Sequence, residues 1–340
     1  MRKIGLFGGS FNPIHEGHIA VAKAARKQFH FNEIWFLPSF STPLKDQLQV
    51  SFVDRCHMVS LAIHPYAYMK LSRIEESLPS PSYTFNTISK LRKQFPSYEF
   101  YWIIGYDQYE QLDQWYRIEE LKEIVQFVVV NRGNQHLESK FLQITDFNHP
   151  ASSTAIREGD FTYLYPTVRD YIAERVLYFP DFLSKFYDEE RWKHAVSVAE
   201  WSVRIAEVYR LDKNEALLAG YLHDIAKKFT KEEMLPIMET YFVEYLEVSE
   251  KVWHQYVGWY YAKYVFFIKN RRILKAILHH TTGTSDSLFS KMLYCADKID
   301  DTRSFDTKAL RELIMKDIDK GFKQAYIEAE EWRLGRKNND

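Results

Sequence analysis

The hydrophobic pattern of the chain changes near residue 180, and this change limits the folds available to it. Before that point, short apolar runs alternate with amphipathic stretches, which is typical of a doubly wound parallel sheet with helices on its faces. After it, apolar residues recur at three- and four-residue spacing, which predicts an all-helical region. A length of 340 residues suits two domains of ordinary size.

The same pattern gives approximate positions for the elements. Strands are predicted at residues 3–7, 33–37, 100–104 and 126–130, with helices at 18–29, 53–63 and 84–95. In the second half, helices are predicted at residues 191–209, 214–227, 251–267, 271–280, 288–299 and 310–333. Residues 178–181 are the predicted join, because Pro180 disfavours helix continuation at the residue before it. We therefore expect one domain at 1–179 and another at 182–335.

Composition narrows the class of protein. Hydrophobic residues make up 46% of the chain and charged residues 27%, which excludes a disordered or fibrous chain. Lysine and arginine number 45 against 46 for aspartate and glutamate, so no overall field favours nucleic acid or an anionic membrane. Two distant cysteines, Cys56 and Cys295, argue for a reducing compartment, and the first strand leaves no room for a signal peptide. We expect a cytoplasmic protein.

A glycine- and histidine-containing loop, GGSFNPIHEGH at residues 8–18, follows the first predicted strand. Gly8 and Gly9 are expected to let the backbone turn and approach a ligand closely. The loop ends at a helix N-terminus, where amides and the helix dipole attract phosphate. His15 and His18 are three residues apart, so both rings can donate to one anion. The glycine pair alone is explained by a turn, and the histidine pair alone by two surface residues. Together they predict a phosphate site.

Four further segments lie where a strand ends or a helix begins. They are PSFSTPLK at residues 38–45, SYT at 82–84, GYDQYEQLDQW at 105–115 and ASSTAIR at 151–157. Lys45 and Arg157 bring cations to positions where phosphate is expected. Trp115 offers either a stacking face or a core side chain.

The loop resembles the T/HxGH signature of the nucleotidyltransferase superfamily, whose two histidines bind ATP phosphates and the transition state. With the four later segments, residues 1 to about 177 resemble the nicotinate-mononucleotide adenylyltransferases. The resemblance implies adenylyl transfer from ATP, carried with Mg²⁺, to nicotinate mononucleotide. The implied catalytic residues are His15, His18, Lys45 and Arg157. The implied substrate-binding residues are Gly8, Gly9, Ser10, Phe11, Thr84, Gly105, Asp107, Trp115, Ser152, Ser153 and Thr154.

Three residues depart from this family pattern. Ser10 stands where threonine is usual, Asn12 where aspartate is usual, and Leu44 where a histidine commonly precedes the lysine. We expect altered affinity and retained activity. The main alternative is another adenylyl or cytidylyl transferase of the superfamily, such as one acting on phosphopantetheine. A class I tRNA synthetase fragment is disfavoured because no KMSKS-like loop is present.

The helical half contains a regular series of histidines and aspartates. The series is His194, His223 with Asp224, His254, His280 and Asp297, at intervals of 29, 31, 26 and 17 residues. This spacing predicts one ligand on each successive helix, as in metal sites built inside helix bundles. Mixed imidazole and carboxylate ligands suit Fe, Mn, Co or Zn better than Mg alone. The alternative is a set of surface residues, with residues 297–301 forming a solvated face.

The segments that carry these residues resemble the HD-domain phosphohydrolases, specifically the bacterial symmetrical diadenosine tetraphosphate hydrolases. They are WKHAVSVAEWSVRIAEVY, AGYLHDIAK, VWHQYVGWYYA, AILHHTTGT and YCADKIDDTR, within residues 187–305. The resemblance implies hydrolysis of diadenosine tetraphosphate to two ADP at a two-metal centre. Iron is the first candidate, and the six residues named above are the implied ligands, with Asp224 catalytic and bridging.

The match also assigns positions around the implied metal centre. Lys227 and Arg303 match basic positions and imply polyphosphate binding, whereas His279 falls on a variable position and is left out of the ligand set. Asp300 and Asp301 replace the Glu-Pro usual in that family. A nucleotide-sensing regulatory module is the alternative of a different class, and retention of every ligand type disfavours it.

Overall fold

A computed structural model describes residues 1–41, 50–131, 141–145 and 147–337, with side chains up to residue 335. The chain divides into two compact units. The first comprises Met1–Arg157 and Thr162–Arg169, and the second comprises Glu158–Phe161 and the chain from Asp170 onward. The functional boundary at residues 179–182 stays a prediction.

The first unit contains a parallel sheet of six described strands. They are β1 (Arg2–Gly9), β2 (Glu33–Pro38), β3 (Met69–Leu71), β4 (Tyr98–Gly105), β5 (Gln126–Val130) and β6 (Leu142–Ile144). The order across the sheet is β3-β2-β1-β4-β5-β6, and every neighbouring pair is parallel. The predicted doubly wound sheet is confirmed. The sequence missed the edge strands β3 and β6, because three residues are too few to form a recognisable apolar run.

The helices of this unit cover the sheet. They are α1 (Glu16–Phe29), α2 (Phe52–Ile63), α3 (Thr84–Gln94), α4 (Tyr106–Tyr109), α5 (Ile118–Ile124) and α6 (Ser153–Arg157). Burial of Ile4 and Leu6 in the central strand explains the near-continuous apolar runs of the sequence. The winding of the sheet reverses between β1 and β4, and a crevice at the carboxyl ends of such strands is the usual ligand site.

All the regular elements of the second unit are helices over its described residues, as predicted. After α7 (Pro166–Glu174), its helices are α8 (Phe179–Leu183), α9 (Glu189–Val208), α10 (Lys213–Leu222), α11 (Lys231–Tyr241), α12 (Trp253–Tyr260), α13 (Arg271–His279), α14 (Leu288–Ile299), α15 (Lys308–Lys316) and α16 (Ile318–Lys337). Among the described residues, no helix has the length and apolar character needed to span a membrane.

Two predicted helix boundaries were wrong. The helix predicted at 214–227 ends at Leu222. The helix predicted at 251–267 is present without a break from Glu250 to Val265, as a 3-10 turn (Glu250–Val252), α12 and a π-helical turn (Tyr261–Val265). The helix predicted at 310–333 is two helices, because Asp317 between them is extended. Pro180 lies in the first turn of α8 and does not end a helix, since a proline is well tolerated there. The sequence missed α11 because it buries only Met234 and Met238, which is too sparse a repeat.

Gly220 lies at a close contact between α9 and α10. A β-carbon at this position would lie 2.3 Å from the Cα of Ala199, a main-chain atom that cannot rotate away. Glycine is therefore required for the two helices to approach this closely. The contact is important because α10 ends two residues later, at the start of the His223-Asp224 pair.

We expect Gly220→Ala to lower the free energy of unfolding by about 1–3 kcal/mol, because the added methyl group forces α9 and α10 apart. The matched control is Gly335→Ala in α16, where nothing lies within 4 Å of the added carbon. This control should be neutral or stabilising by up to about 1 kcal/mol, since alanine favours helix. Urea unfolding of both variants measures the difference. Equal stability would contradict the close packing at Gly220.

Candidate active sites

The two histidines of the first loop lie side by side at the start of α1. Their ring centroids are 3.8 Å apart, with His15 buried and His18 half-buried. The main-chain amide of His15 donates to Nδ1 of His18 at 3.2 Å. This bond makes Nδ1 an acceptor, so in the neutral ring Nε2 carries the proton. His18 is thereby oriented as a hydrogen-bond donor.

The turn predicted at the two glycines was wrong, and their close approach to a ligand stays a prediction. Gly8 and Gly9 are the last residues of β1, and the residue with left-handed backbone in this loop is Phe11, at φ 45°. A β-carbon on Gly8 would lie 2.4 Å from Cζ2 of Trp102. Gly8 is therefore required for contact with the indole ring and not for a turn. The Phe11 ring packs on Phe7 and His18.

A pocket of about 470 Å³ opens at the carboxyl ends of β1 and β4. The predicted residues that line it are Gly8, Gly9, Ser10, Thr84, Asp107 and Trp115. Ser39 and Ser82, from the segments at 38–45 and 82–84, also line it, and the sequence missed Glu75, Trp102 and Tyr116. Gly105 directly precedes α4. Trp115 contacts Phe127 and also lines the pocket, and its role as a stacking face stays a prediction.

The ASSTAIR segment binds the loop that carries the histidines. Arg157 donates from Nη1 to the carbonyl of Asn12 at 2.8 Å, and its Nη2 donates to Oγ1 of Thr154 at 3.2 Å. The hydroxyl of Ser153 donates to the carbonyl of Pro13 at 3.0 Å. These bonds bring the guanidinium of Arg157 to the segment that precedes α1. Ser152 accepts from the Ala155 amide at 3.5 Å, and Lys45 lies outside the described residues.

Arg55 is a buried cation that the sequence analysis missed. It is 1% exposed and donates to the carbonyls of Ser10 at 2.7 Å, Ser39 at 2.8 Å and Val50 at 3.3 Å. It therefore ties together the chain after β1 and the chain after β2. A signal was present, because an arginine three residues after Phe52 lies on the apolar face of α2.

Glu75 is a second buried residue that the sequence analysis missed. Its carboxylate accepts from the amide of Phe40 at 3.2 Å and from Oγ1 of Thr87 at 3.3 Å. Burial raises the pKa of Glu75 above its usual value, against hydrogen bonds that lower it. Glu75 therefore connects the chain after β2, at Phe40, to Thr87 of α3.

Six buried side chains of the second unit converge on one point. We call them the HD cluster, and they are His194, His223, Asp224, His254, His280 and Asp297. His194 lies in α9, His254 in α12 and Asp297 in α14, while the others directly follow α10 and α13. The prediction of one ligand per successive helix needs one correction, since α11 intervenes and contributes none of the six.

The two carboxylate oxygens of Asp224 face different partners. Its Oδ1 lies 3.3 Å from Nε2 of His254 and 3.3 Å from Nε2 of His280. Its Oδ2 lies 3.7 Å from Nε2 of His223 and 3.9 Å from Nε2 of His194. Asp297 completes the second group, with Oδ1 3.2 Å from Nε2 of His194. Asp224 is therefore shared by two groups of potential ligands.

The outer ring nitrogens of three of these histidines are also held. Nδ1 of His223 contacts the carbonyl of Gly220 at 2.7 Å, and Nδ1 of His280 contacts the carbonyl of Ile277 at 2.7 Å. Nδ1 of His194 lies 3.2 Å from Oδ1 of Asp300. Such contacts place a proton on Nδ1 and leave Nε2 directed inward as a ligand atom. The donor set fits a divalent transition metal in each group.

Burial and charge set the protonation of the HD cluster. Burial lowers the pKa of His223 and of His254 to about 4, so both rings are neutral at pH 7. Burial alone would raise the pKa of Asp224, but His223, His254 and His280 hold it well below its usual value. Burial also opposes charge on His194, yet Asp297 and Asp300 raise its pKa to about 9. A carboxylate among these rings favours a bound cation.

The surroundings of the HD cluster include Asp300 and Thr281, to which the sequence assigned no role, and Lys227 and Arg303, to which it assigned phosphate binding. Asp300 is fully buried, so the interpretation of residues 297–301 as a solvated face was wrong. Thr281 lies with Oγ1 2.9 Å from Nε2 of His254. Lys227 lies with Nζ 3.2 Å from the same nitrogen, and Arg303 donates to Asp297 and Asp300. His279 instead contacts Oγ1 of Thr284 at 2.7 Å.

Comparison with known proteins agrees with both units. Residues 6–159 match the cytidylyltransferase-like family and residues 191–320 match the HD domain. The nicotinate-nucleotide adenylyltransferase of Bacillus subtilis is 37% identical over 189 residues, which cover 52% of this chain and 99% of that protein.

Longer matches span both units. Probable nicotinate-nucleotide adenylyltransferase/Ap4A hydrolases of Mycoplasma genitalium and Mycoplasma pneumoniae are 29% and 28% identical. These matches cover 89% and 92% of this chain, and 88% and 95% of those proteins. The chain therefore belongs, over its first half, to the nicotinate-nucleotide adenylyltransferase family, and an HD domain follows in the same chain.

Proposed function

We propose that the chain is a bifunctional enzyme. The first activity transfers an adenylyl group from ATP to nicotinate mononucleotide, giving deamido-NAD and pyrophosphate. The second hydrolyses diadenosine tetraphosphate to two ADP in a metal-dependent reaction. The observation that supports the first is the pocket that joins the end of β1 to Thr84 and Trp115. The observation that supports the second is the sharing of Asp224 by two groups of histidines.

Adenylyl transfer requires two anions to approach each other. A phosphate oxygen of nicotinate mononucleotide attacks the α-phosphorus of ATP, and pyrophosphate leaves. At about 4 Å, two unit charges repel by roughly 4 kcal/mol at an effective dielectric near 20. We infer that Nε2 of His18 donates to a phosphate oxygen, with His15, Lys45 and Arg157 offsetting the remaining charge. Mg²⁺ carried by ATP supplies further neutralisation.

The mononucleotide base is proposed to occupy the pocket beside Trp115. Thr84 is the first residue of α3, and amides in a first helical turn have no partner within the helix. A carboxylate on the base can accept from such amides near Thr84 and Tyr106. The indole ring of Trp115 offers a flat stacking surface.

For the HD cluster, the chemistry of a bound metal fits the donor set. Two transition-metal ions, with iron as the first candidate and Mn, Co or Zn as alternatives, would be held by the six side chains. When bound, such ions supply a Lewis acid for the attacked phosphate and activate water. Asp300 orients His194, and Lys227 is proposed to meet the negative charge of the polyphosphate. All proposed substrates are small molecules, and the proposed location is the cytoplasm.

The two activities should separate by mutation, because their residues lie in different units. We expect His18→Ala to abolish adenylyl transfer, since it removes a phosphate donor, and to leave hydrolysis unchanged. Asp224→Ala should abolish hydrolysis by removing the shared carboxylate and should spare transfer. Pyrophosphate release and ADP formation measure the two reactions, and each variant's second activity is its folding control. Loss of both activities in either folded variant would contradict two independent sites.

Nicotinate mononucleotide should be used much better than nicotinamide mononucleotide. The amide of the latter would leave buried amide donors near Thr84 unmatched, and such mismatches discriminate strongly. We expect kcat/KM to differ by about 100-fold or more. Initial rates with both mononucleotides at several concentrations give this ratio. Equal values would rule out carboxylate recognition in the pocket.

Hydrolysis of diadenosine tetraphosphate should give ADP as the only nucleotide product. Binding of the middle of the polyphosphate at the HD cluster would place an inner phosphorus atom for attack by water, whereas recognition of one end would give ATP and AMP. Chromatography separates these products. Chelation of transition metals should abolish hydrolysis, and re-addition should restore it. ATP plus AMP as products, or full activity after chelation without Mg²⁺, would disprove this mechanism.

A further inference from the structure

Two cationic side chains contact the carboxylates of the HD cluster from outside. Arg191 donates from Nη1 to Oδ2 of Asp224 at 3.3 Å, and Lys298 donates from Nζ to Oδ2 of Asp297 at 2.7 Å. Their side chains are 35% and 24% exposed, whereas the two carboxylates are 6% and 11% exposed. Both cations therefore lie between the buried cluster and solvent.

Arg303 is also close to the cluster, but its bonds tie it into the fold. Its Nε donates to Oδ2 of Asp300 at 2.7 Å, and its Nη2 donates to Oδ1 and to the main-chain carbonyl of Asp297. Asp300 in turn contacts Nδ1 of His194. Arg303 therefore links the backbone and side chain of one proposed ligand to the carboxylate that orients another.

The charge around the HD cluster distinguishes the role of Arg191 and Lys298 from that of Arg303. A metal ion bound between the rings would use Oδ2 of Asp224, which now accepts from Arg191, and Oδ1 of Asp297, whose second oxygen accepts from Lys298. Both carboxylates would then be weaker acceptors, and both cations would face like charge. Arg303 reaches solvent to a similar extent, at 30% exposed, but three bonds hold it in place, whereas Arg191 and Lys298 can turn to an incoming anion. A chain of phosphates carries enough negative charge to satisfy both cations and the metals together.

We propose that Arg191 and Lys298 bind the polyphosphate of the substrate, and that Arg303 is a positioning residue for Asp297 and Asp300. This inference rests on the proposed hydrolysis and names the residues that bind its substrate's phosphates. A guanidinium can bind two phosphate oxygens at once, while a lysine acts as a point charge. The sequence assigned Arg303 to the phosphates, and the contacts favour Arg191 and Lys298 in its place.

Three glutamine variants and one control test the division of roles. Arg191→Gln and Lys298→Gln should each raise KM for diadenosine tetraphosphate about tenfold or more, because each removes a charge-assisted hydrogen bond. Metal content per chain should match the wild type in both. Arg303→Gln should instead weaken metal binding by about 10- to 100-fold, as loss of a group that supports metal ligands does. Elemental analysis and metal titration measure this effect.

Lys193→Gln is the matched control for the charge change. Lys193 lies two residues after Arg191 in α9, is 66% exposed and donates to Glu189 at 2.6 Å. We expect its KM and metal content to equal those of the wild type. Arg191→Lys should restore part of the affinity, because it returns the positive charge without the planar fork.

Calorimetry with ADP gives a readout that needs no turnover. The ADP binding that appears only after transition-metal loading should be about tenfold weaker in Arg191→Gln and Lys298→Gln. If the wild type bound ADP in this way but did not cleave diadenosine tetraphosphate, the proposed hydrolysis would fail and the anion site would stand. Absence of metal-dependent ADP binding in the wild type, or unchanged affinity in both variants, overturns the inference. Metal loss in Arg191→Gln as large as in Arg303→Gln also overturns it.

Discussion

The buried charge of Asp224 is the constraint on which the second unit depends. A carboxylate removed from water costs several kcal/mol unless other groups compensate it. Here His254 and His280 contact one oxygen, and His194 and His223 face the other. These rings come from four different helical segments. The charge of Asp224 is therefore compensated only when those segments pack together. The contact of Gly220 with Ala199 belongs to the same arrangement, since it brings the end of α10 towards α9.

The first unit depends on a different constraint, the reversal of the sheet between β1 and β4. This reversal leaves a crevice at the carboxyl ends of the two strands. Arg55 donates to the main-chain carbonyls of Ser10 and Ser39, which line the pocket there, and to that of Val50. Buried main-chain acceptors need such partners. A charged side chain is thereby used to hold backbone in place and is not available for substrate.

Both proposed activities pose the same physical problem, which is how to hold phosphate in a protein of nearly balanced charge. In the first unit, the proposed donors lie on loops and at helix starts, where main-chain amides contribute without a permanent charge. In the second unit, Arg191 and Lys298 lie at the solvent edge of the HD cluster and contact its buried carboxylates. The positions of individual donors and cations therefore supply positive potential locally, since the nearly balanced composition does not supply it overall.

The sequence by itself determined the two fold classes and the identity of the HD cluster. Periodicity identifies buried strands and helices, and histidines at intervals of one helix identify ligands, because both are properties of local spacing. Only the tertiary structure assigned Gly8 to a contact with Trp102, Arg55 to three carbonyls and Asp300 to His194. Each of these contacts joins segments far apart in the chain. Local pattern carries no information on such pairs, so a buried charge and a solvated one look alike until the chain is folded.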